Sequence, residues 1–143
     1  MKRILTCFLI LLACSCSKIE TNIPEAPVYL RLDLRYEDKE LVGTTKHKEF
    51  TAARKPGEAV GVSGILVVCG LDNNYYAYDL CCPHEAVKNV RIVPNDLCQA
   101  TCPKCGTVYE TGYGAGNPSS GVSKYPLKRY SVTRSGQELL VRN

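Results

Sequence analysis

The sequence contains no tryptophan, one methionine, two phenylalanines and only two histidines in 143 residues. Two histidines leave little room for imidazole-based catalysis, and no Ser/His/Asp set, phosphate-binding loop or paired acid–base carboxylates can be assembled around them. A cysteine nucleophile would need a nearby base, and the one candidate, His84, is better placed as a metal ligand. No segment keeps a helical period, and no internal repeat recurs, which sets helical bundles and solenoids aside. Neither sign of charge dominates: eighteen Lys and Arg face fourteen Asp and Glu, for a net charge of +4. That excess is too small to indicate nucleic acid as a partner. At this length the chain holds one domain plus whatever targeting segment it carries. Tyrosine is favoured instead of the missing aromatics, with nine residues, and cysteine is abundant, also with nine.

The first fourteen residues account for two of those cysteines. Lys2 and Arg3 precede a short apolar run, Ile4 to Ala13, broken by Thr6 and Cys7. The run is too short to span a bilayer and reads as a secretory signal. Its end, Leu11-Leu12-Ala13-Cys14, resembles a bacterial lipobox, which implies lipid attachment at Cys14; Cys16 is the competing acceptor. Plain secretion with cleavage elsewhere, and an uncleaved anchor, are the alternatives. Lipidation would place the chain in a bacterial cell envelope, held to the membrane by its N-terminus and either periplasmic or surface-exposed. Without Lys2 and Arg3, sixteen cations face fourteen acids and the charge is +2. Residues 15–27 are polar, contain Pro24 and Pro27, and read as an extended, mobile tether. Lys124, Lys128, Arg129, Arg134 and Arg142 cluster late; a solvated face is the ordinary reading, and a dock for an acidic partner the alternative.

Residues 28–143 read as all-β. Val28 to Arg35 alternates apolar and polar residues, the pattern of a half-buried strand. Residues 36–48 read as a polar loop with little core, and Glu49 to Ala53 as a short strand. Ile65 to Cys69 is a β-branched run, Asp72-Asn73-Asn74 turns, and Tyr75 to Leu80 returns, giving a hairpin. Further strands are expected over Val90 to Val93, Leu97 to Thr101, Thr107 to Glu110, Arg129 to Thr133 and Glu138 to Arg142, with a loop over 112–121. Many short strands at such spacing indicate a sandwich or small barrel.

The chain is organised around Cys82-Pro83-His84 and, seventeen residues later, Cys102-Pro103-Lys104-Cys105-Gly106. Three thiols and one imidazole in two short clusters can supply four ligands to one centre. Thiolate and imidazole suit an iron–sulfur cluster or zinc, and suit calcium or magnesium badly. Each cluster is expected at the tip of a β-hairpin. Pro83 and Pro103 stiffen the tips, Gly106 permits a positive φ, and turn N–H groups can point at sulfur.

At these residues the chain resembles the Rieske-type iron–sulfur domains. Tyr76-Ala77-Tyr78-Asp79-Leu80-Cys81-Cys82-Pro83-His84-Glu85 is similar to the family's first ligand box and its lead-in strand. Ala100-Thr101-Cys102-Pro103-Lys104-Cys105-Gly106 is similar to the second, except that Cys105 stands where the family has histidine. Ser120 to Tyr130 resembles the segment that follows the cluster in soluble Rieske ferredoxins, and Asn117-Pro118-Ser119 would be the loop that covers it. The resemblance implies a Rieske-like β-sandwich or small barrel with a cluster-binding subdomain of two hairpin loops. It implies a [2Fe-2S] cluster with Cys82 and Cys102 on one iron and His84 and Cys105 on the other. Three Cys and one His also ligate the two-iron cluster of the NEET-type proteins. A thiolate in place of neutral imidazole adds one negative charge, so the reduction potential is expected below that of a Cys2His2 centre. The implied function is that of a single-electron carrier rather than an enzyme, serving a redox partner protein that the sequence does not identify. The chain is too short to add the mononuclear-iron domain of a hydroxylating oxygenase.

Two rival readings remain. Cys102-Pro-Lys-Cys105-Gly is also a zinc knuckle, and Cys81-x-x-His84 offers it a second frame. Alternatively the site holds no metal, and Cys69, Cys81, Cys82, Cys98, Cys102 and Cys105 pair as disulfides that staple a binding or adaptor module. Some Rieske domains carry a disulfide between their two cluster loops, which the pair Cys81 and Cys98 could imitate. Cys69 reads as a buried strand residue and His47 as a solvated surface residue.

Overall fold

The computed structural model describes residues 21–143; Cys14, Cys16 and residues 15–20 of the expected tether lie outside them. The described chain is all-β. Strands β1 (Val28–Asp33), β2 (His47–Phe50), β3 (Ala59–Val60), β4 (Ile65–Cys69), β5 (Tyr75–Asp79), β10 (Arg129–Ser135) and β11 (Glu138–Arg142) form one antiparallel sheet, in the order β2-β4-β5-β10-β11-β1-β3. A smaller sheet takes β6 (Val93–Pro94), β7 (Gln99–Thr101), β8 (Val108–Glu110) and β9 (Pro118–Ser120), in that order.

Strand β4 shows why its sequence is apolar without alternation. All five of its residues are buried. Ile65 and Val67 face a core built with Leu30, Leu32, Leu139 and Val141. Leu66 and Val68 face a second core with Tyr78, Leu80, Ile92, Ala100, Tyr109 and Leu127. A strand covered on both faces reads as an uninterrupted hydrophobic run. The second core lies under the small sheet and carries Cys82 and Cys102 within it.

Local chemistry moves several strand ends. β1 stops at Asp33 rather than Arg35, because Asp33 O accepts the N–H of Asp38 at 2.8 Å while the Asp38 carboxylate accepts Asp33 N–H at 3.0 Å. Residues 36–48, expected as a loop with little core, bury Asp38 and Leu41 completely and include a short 3-10 turn over Lys39–Leu41. Asp38 takes hydrogen bonds from Lys48 Nζ at 2.9 Å and Arg54 Nη1 at 2.8 Å, and both cations lie over the Phe50 ring. β7 begins at Gln99 because the Asn95 side chain accepts Leu97 and Gln99 N–H, with Cys98 between them at φ +56. Pro118–Ser120, expected within a covering loop, is strand β9 and pairs with β8.

Part of the expected tether lies on the domain. Ile23 is buried, Lys128 Nζ donates to Pro24 O at 2.8 Å, and Asn143 Nδ2 donates to Ala26 O at 3.0 Å. The apolar Ile23 and the facing donors Lys128 and Asn143 supply what a proline-containing, polar stretch needs to be held.

Candidate metal centre

The first ligand loop hangs from a buried carboxylate. Asp79 closes β5 and is fully buried. Its Oδ2 accepts Val62 N–H at 2.9 Å and the Tyr130 hydroxyl at 2.7 Å; its Oδ1 accepts Cys81 N–H at 2.8 Å and Ser63 N–H at 3.2 Å. Ser63 in turn holds the far side of the loop: its hydroxyl donates to Lys88 O at 2.7 Å, and Arg91 Nε donates to Ser63 O at 2.6 Å. Within the loop, Ala86 N–H reaches Cys82 O at 2.8 Å and Cys82 N–H reaches Val90 O at 3.1 Å. This loop is not a hairpin tip, as the sequence suggested. It carries the chain from the large sheet to the small one and is closed by an isolated bridge between Cys81 and Arg91.

The second ligand loop is a true hairpin tip between β7 and β8. Cys102 N–H donates to Thr107 O and Gly106 N–H donates to Cys102 O, both at 2.9 Å. Gly106 has φ +73 and open space around it, so the turn needs glycine for its backbone angle alone. The Cys105 N–H points at Cys102 Sγ, 3.5 Å away.

The two loops bring three sulfurs together. Sγ of Cys82, Cys102 and Cys105 all lie within 4.8 Å of one another, and Cys82 and Cys105 are 3.8 Å apart. Cys82 and Cys102 are fully buried and Cys105 is half-buried. The Tyr109 hydroxyl lies 3.4 Å from Cys82 Sγ, and the Thr107 hydroxyl 3.3 Å from Cys105 Sγ. Thr107 Oγ1 also accepts the N–H groups of Val122 and Ser123, which seats the 121–123 segment against the site. Gly121 is obligatory there, since a Cβ would stand 2.5 Å from Thr107 Cα. Lys104 and Glu85 join the loop tips through a 2.6 Å ion pair.

Burial pushes the Cys102 thiol up to about 12, against the N–H groups of Cys105 and Lys104 that favour its anion. Burial also opposes charge on Cys105. There the Thr107 hydroxyl and N–H, with the Cys102 and Cys82 thiols, prevail and hold the thiol below its ordinary value. Burial and the Cys82 contact raise the Tyr109 phenol, so it stays a hydrogen-bond donor.

Three solved structures share this arrangement of strands. A chain from the complex of reduced oxygenase and oxidized ferredoxin in carbazole 1,9a-dioxygenase matches with TM-score 0.51 and 18% identity, over 80% of this chain and 93% of its own. The Sphingomonas yanoikuyae B1 ferredoxin matches with TM-score 0.52 and 16% identity, over 80% and 97%. The ferredoxin of carbazole 1,9a-dioxygenase from Nocardioides aromaticivorans IC177 matches with TM-score 0.50 and 20% identity, over 81% and 96%. The fold is that of a Rieske-type ferredoxin. No protein-family model and no curated protein matches the sequence.

On this fold the three thiols converge from the base of the first loop, Cys82, and from the β7–β8 hairpin turn, Cys102 and Cys105. Their donor chemistry fits a soft metal: clustered sulfurs, backbone N–H aimed at one of them, and a phenol on another. His84, the fourth expected ligand, is exposed and lies outside the group of three. Cys81 does not provide the second zinc frame, for its Sγ turns to Val87 O at 3.6 Å. Nor are Cys81 and Cys98 joined; both are free. Cys81 follows Asp79, which pairs with Ile65, whereas Cys98 Sγ lies 3.9 Å from Cys69 O at the other end of β4. Four strand residues, roughly 13 Å, separate those ends, and a disulfide spans Cα atoms only about 4.4–6.8 Å apart. Cys69 is buried as expected. His47 is not a solvated residue: its Nδ1 is out of water without a hydrogen bond, 4.0 Å from Asp96.

Sequence reasoning missed Asp79, Ser63, Thr107, Tyr109 and the Glu85–Lys104 pair. All but Ser63 lie within four residues of a ligand box, which was the one available signal.

Proposed function

We propose that this chain is an exported, membrane-tethered carrier of single electrons, with a [2Fe-2S] cluster held by Cys82, Cys102, Cys105 and His84. The observation that carries the reading is the convergence of three thiols from two loops of a ferredoxin fold. The cluster would supply one-electron uptake and release. The chain's own residues do the rest. Pro83 and Pro103 stiffen the loops, the second core excludes water from Cys82 and Cys102, and Tyr109 and Cys105 N–H offer hydrogen bonds to sulfur. His84 is exposed on the first loop and would complete the ligand set; as an imidazole ligand it would leave its second nitrogen able to carry a proton. The partner is a redox protein; among the similar structures, a ferredoxin stands in complex with an oxygenase. Tethering rests on Lys2, Arg3 and the Cys14 lipobox.

Protein purified without air is expected to be coloured and to contain two iron and two sulfide per chain, as the [2Fe-2S] formula requires. Colourless protein with stoichiometric zinc would overturn the cluster. One observation favours that second reading. Tetrahedral zinc with Zn–S of about 2.3 Å sets its sulfurs about 3.8 Å apart, and Cys82 and Cys105 already stand at 3.8 Å. Labelled fatty acid should enter the wild-type chain and not Cys14→Ser; retention of label in that variant would move the acceptor to Cys16.

A further inference from the structure

We infer that Cys82 and Cys105 form a redox-gated pair: oxidised, they join the two loops in a disulfide that closes the metal centre; reduced, they are two of its ligands. The bond itself stands independently of which metal is bound; the gating rests on the reading of these thiols as a metal centre.

The geometry is already close. The two sulfurs are 3.8 Å apart, on loops 23 residues apart in the chain. A disulfide bond of about 2.05 Å requires an approach of less than about 2 Å. The loop tips are held in register without any metal, because Lys104 and Glu85 pair at 2.6 Å and the Glu85 carboxylate is largely buried. Cys105 is the half-buried member of the three and gives the entry point for an oxidant. Cys82 and Cys102 are sealed in the second core. The remaining thiols have other neighbours: Cys81 faces Val87 O, Cys98 faces Cys69 O, and Cys69 faces the Asn73 side chain.

The oxidant is a small-molecule or protein disulfide. The Cys105 sulfur attacks one sulfur of that disulfide; the oxidant's S–S bond breaks, one thiol leaves, and a mixed disulfide remains on Cys105. The Cys82 sulfur then attacks the Cys105 sulfur, forming the loop-to-loop bond and releasing the second thiol. Two electrons pass from Cys82 and Cys105 to the oxidant, and their two protons go to the released thiols. Two of the three clustered ligands are consumed, so Cys102 is left alone and the centre cannot hold a soft metal. A bound metal engages both sulfurs and protects them.

The test uses the full chain, stripped of metal with a chelator under reductant, desalted without air and incubated with oxidised glutathione. Peptide mapping should find residues 82 and 105 cross-linked, with two thiols lost. Cys102→Ser should keep the cross-link and Cys105→Ser should abolish it. Protein loaded with zinc beforehand should react about tenfold or more slowly. A Cys102–Cys105 link, a link to Cys69, Cys81 or Cys98, or glutathione left on Cys105 without closure would overturn the pairing. Equal rates for loaded and stripped protein would overturn the gating. Failure to bind zinc or a cluster at all refutes the metal centre instead, and leaves the cross-link standing or falling on its own map.

Discussion

Asp79 offers the sharpest test of how the first ligand loop is held. Its carboxylate accepts four hydrogen bonds, three from backbone N–H groups and one from Tyr130. Asparagine at this position retains one acceptor oxygen and gains two donors. Placed as Oδ1, that oxygen keeps Ser63 and Cys81; the new NH2 then faces Val62 N–H, which loses its partner, while the Tyr130 hydroxyl can rotate to accept. One buried donor left unpaired costs about 1–3 kcal/mol, and the surviving bonds lose the help of the negative charge. Asp79→Asn should therefore destabilise the domain by about 2–3 kcal/mol. Asp79→Ala strands all four donors and should cost about 5 kcal/mol, a large part of the roughly 5–15 kcal/mol available to a domain. Because Cys81 N–H adjoins the Cys82 peptide, looser loop anchoring should also weaken zinc or iron retention. Urea unfolding followed by tyrosine fluorescence, which the absence of tryptophan makes clean, gives the stability. Hydrogen exchange at Val62, Ser63 and Cys81 locates the loss. An Asp79→Asn protein within about 0.5 kcal/mol of wild type, with exchange unchanged at those three amides, would refute the account.

Tyr109→Phe removes a donor to Cys82 Sγ and should lower the midpoint potential of cluster-loaded protein by roughly 40 mV, from about 1 kcal/mol per hydrogen bond and 59 mV per tenfold; potentiometry showing no fall would dismiss the O–H···S contact. Asp38→Ala leaves Lys48 and Arg54 without their shared buried carboxylate and should cost about 3 kcal/mol in urea unfolding, with the metal centre unaffected. Glu40 is held below its ordinary value by Lys48; at Glu58 burial works the other way, but the Arg54 N–H and guanidinium outweigh it. Both shifts contribute stability that is present above the unfolded glutamate value, about 4.3, and lost as pH falls through the lowered folded values. Stability should thus decline below about pH 4.5, and Glu58→Gln should flatten that decline.

Much of the fold was legible because period-two patterns report burial directly. The alternation from Val28 marks β1, and the unbroken Ile65–Cys69 run marks a strand covered on both faces. Both cysteine-bearing loops stood out because cysteine and proline at short spacing are rare and chemically specific, but only the second is the expected hairpin tip; the first joins the two sheets, a connection its own residues do not encode. Strand ends were less legible, since side chains set them: Asp38 ends β1, and Asn95 delays β7. The small strand β9 hid in a Gly/Ser/Asn/Pro segment because its pairing with β8 is backbone chemistry that leaves little trace in composition.

The sequence alone supplied the candidate donors, because the softness of a ligand is a matter of residue type: three thiols and one imidazole in two short clusters, with Cys105 where the resemblance to Rieske domains led one to expect histidine. Which donors meet is a matter of distance, and only the tertiary structure decided it. It brings Cys82, Cys102 and Cys105 within 4.8 Å while leaving His84 exposed. It sets Cys81 and Cys98 at opposite ends of β4, although both lie near a ligand box in sequence. It also recruits Asp79, Ser63 and Tyr130 to hold one loop, because hydrogen-bond satisfaction in a buried site draws partners from anywhere the backbone passes.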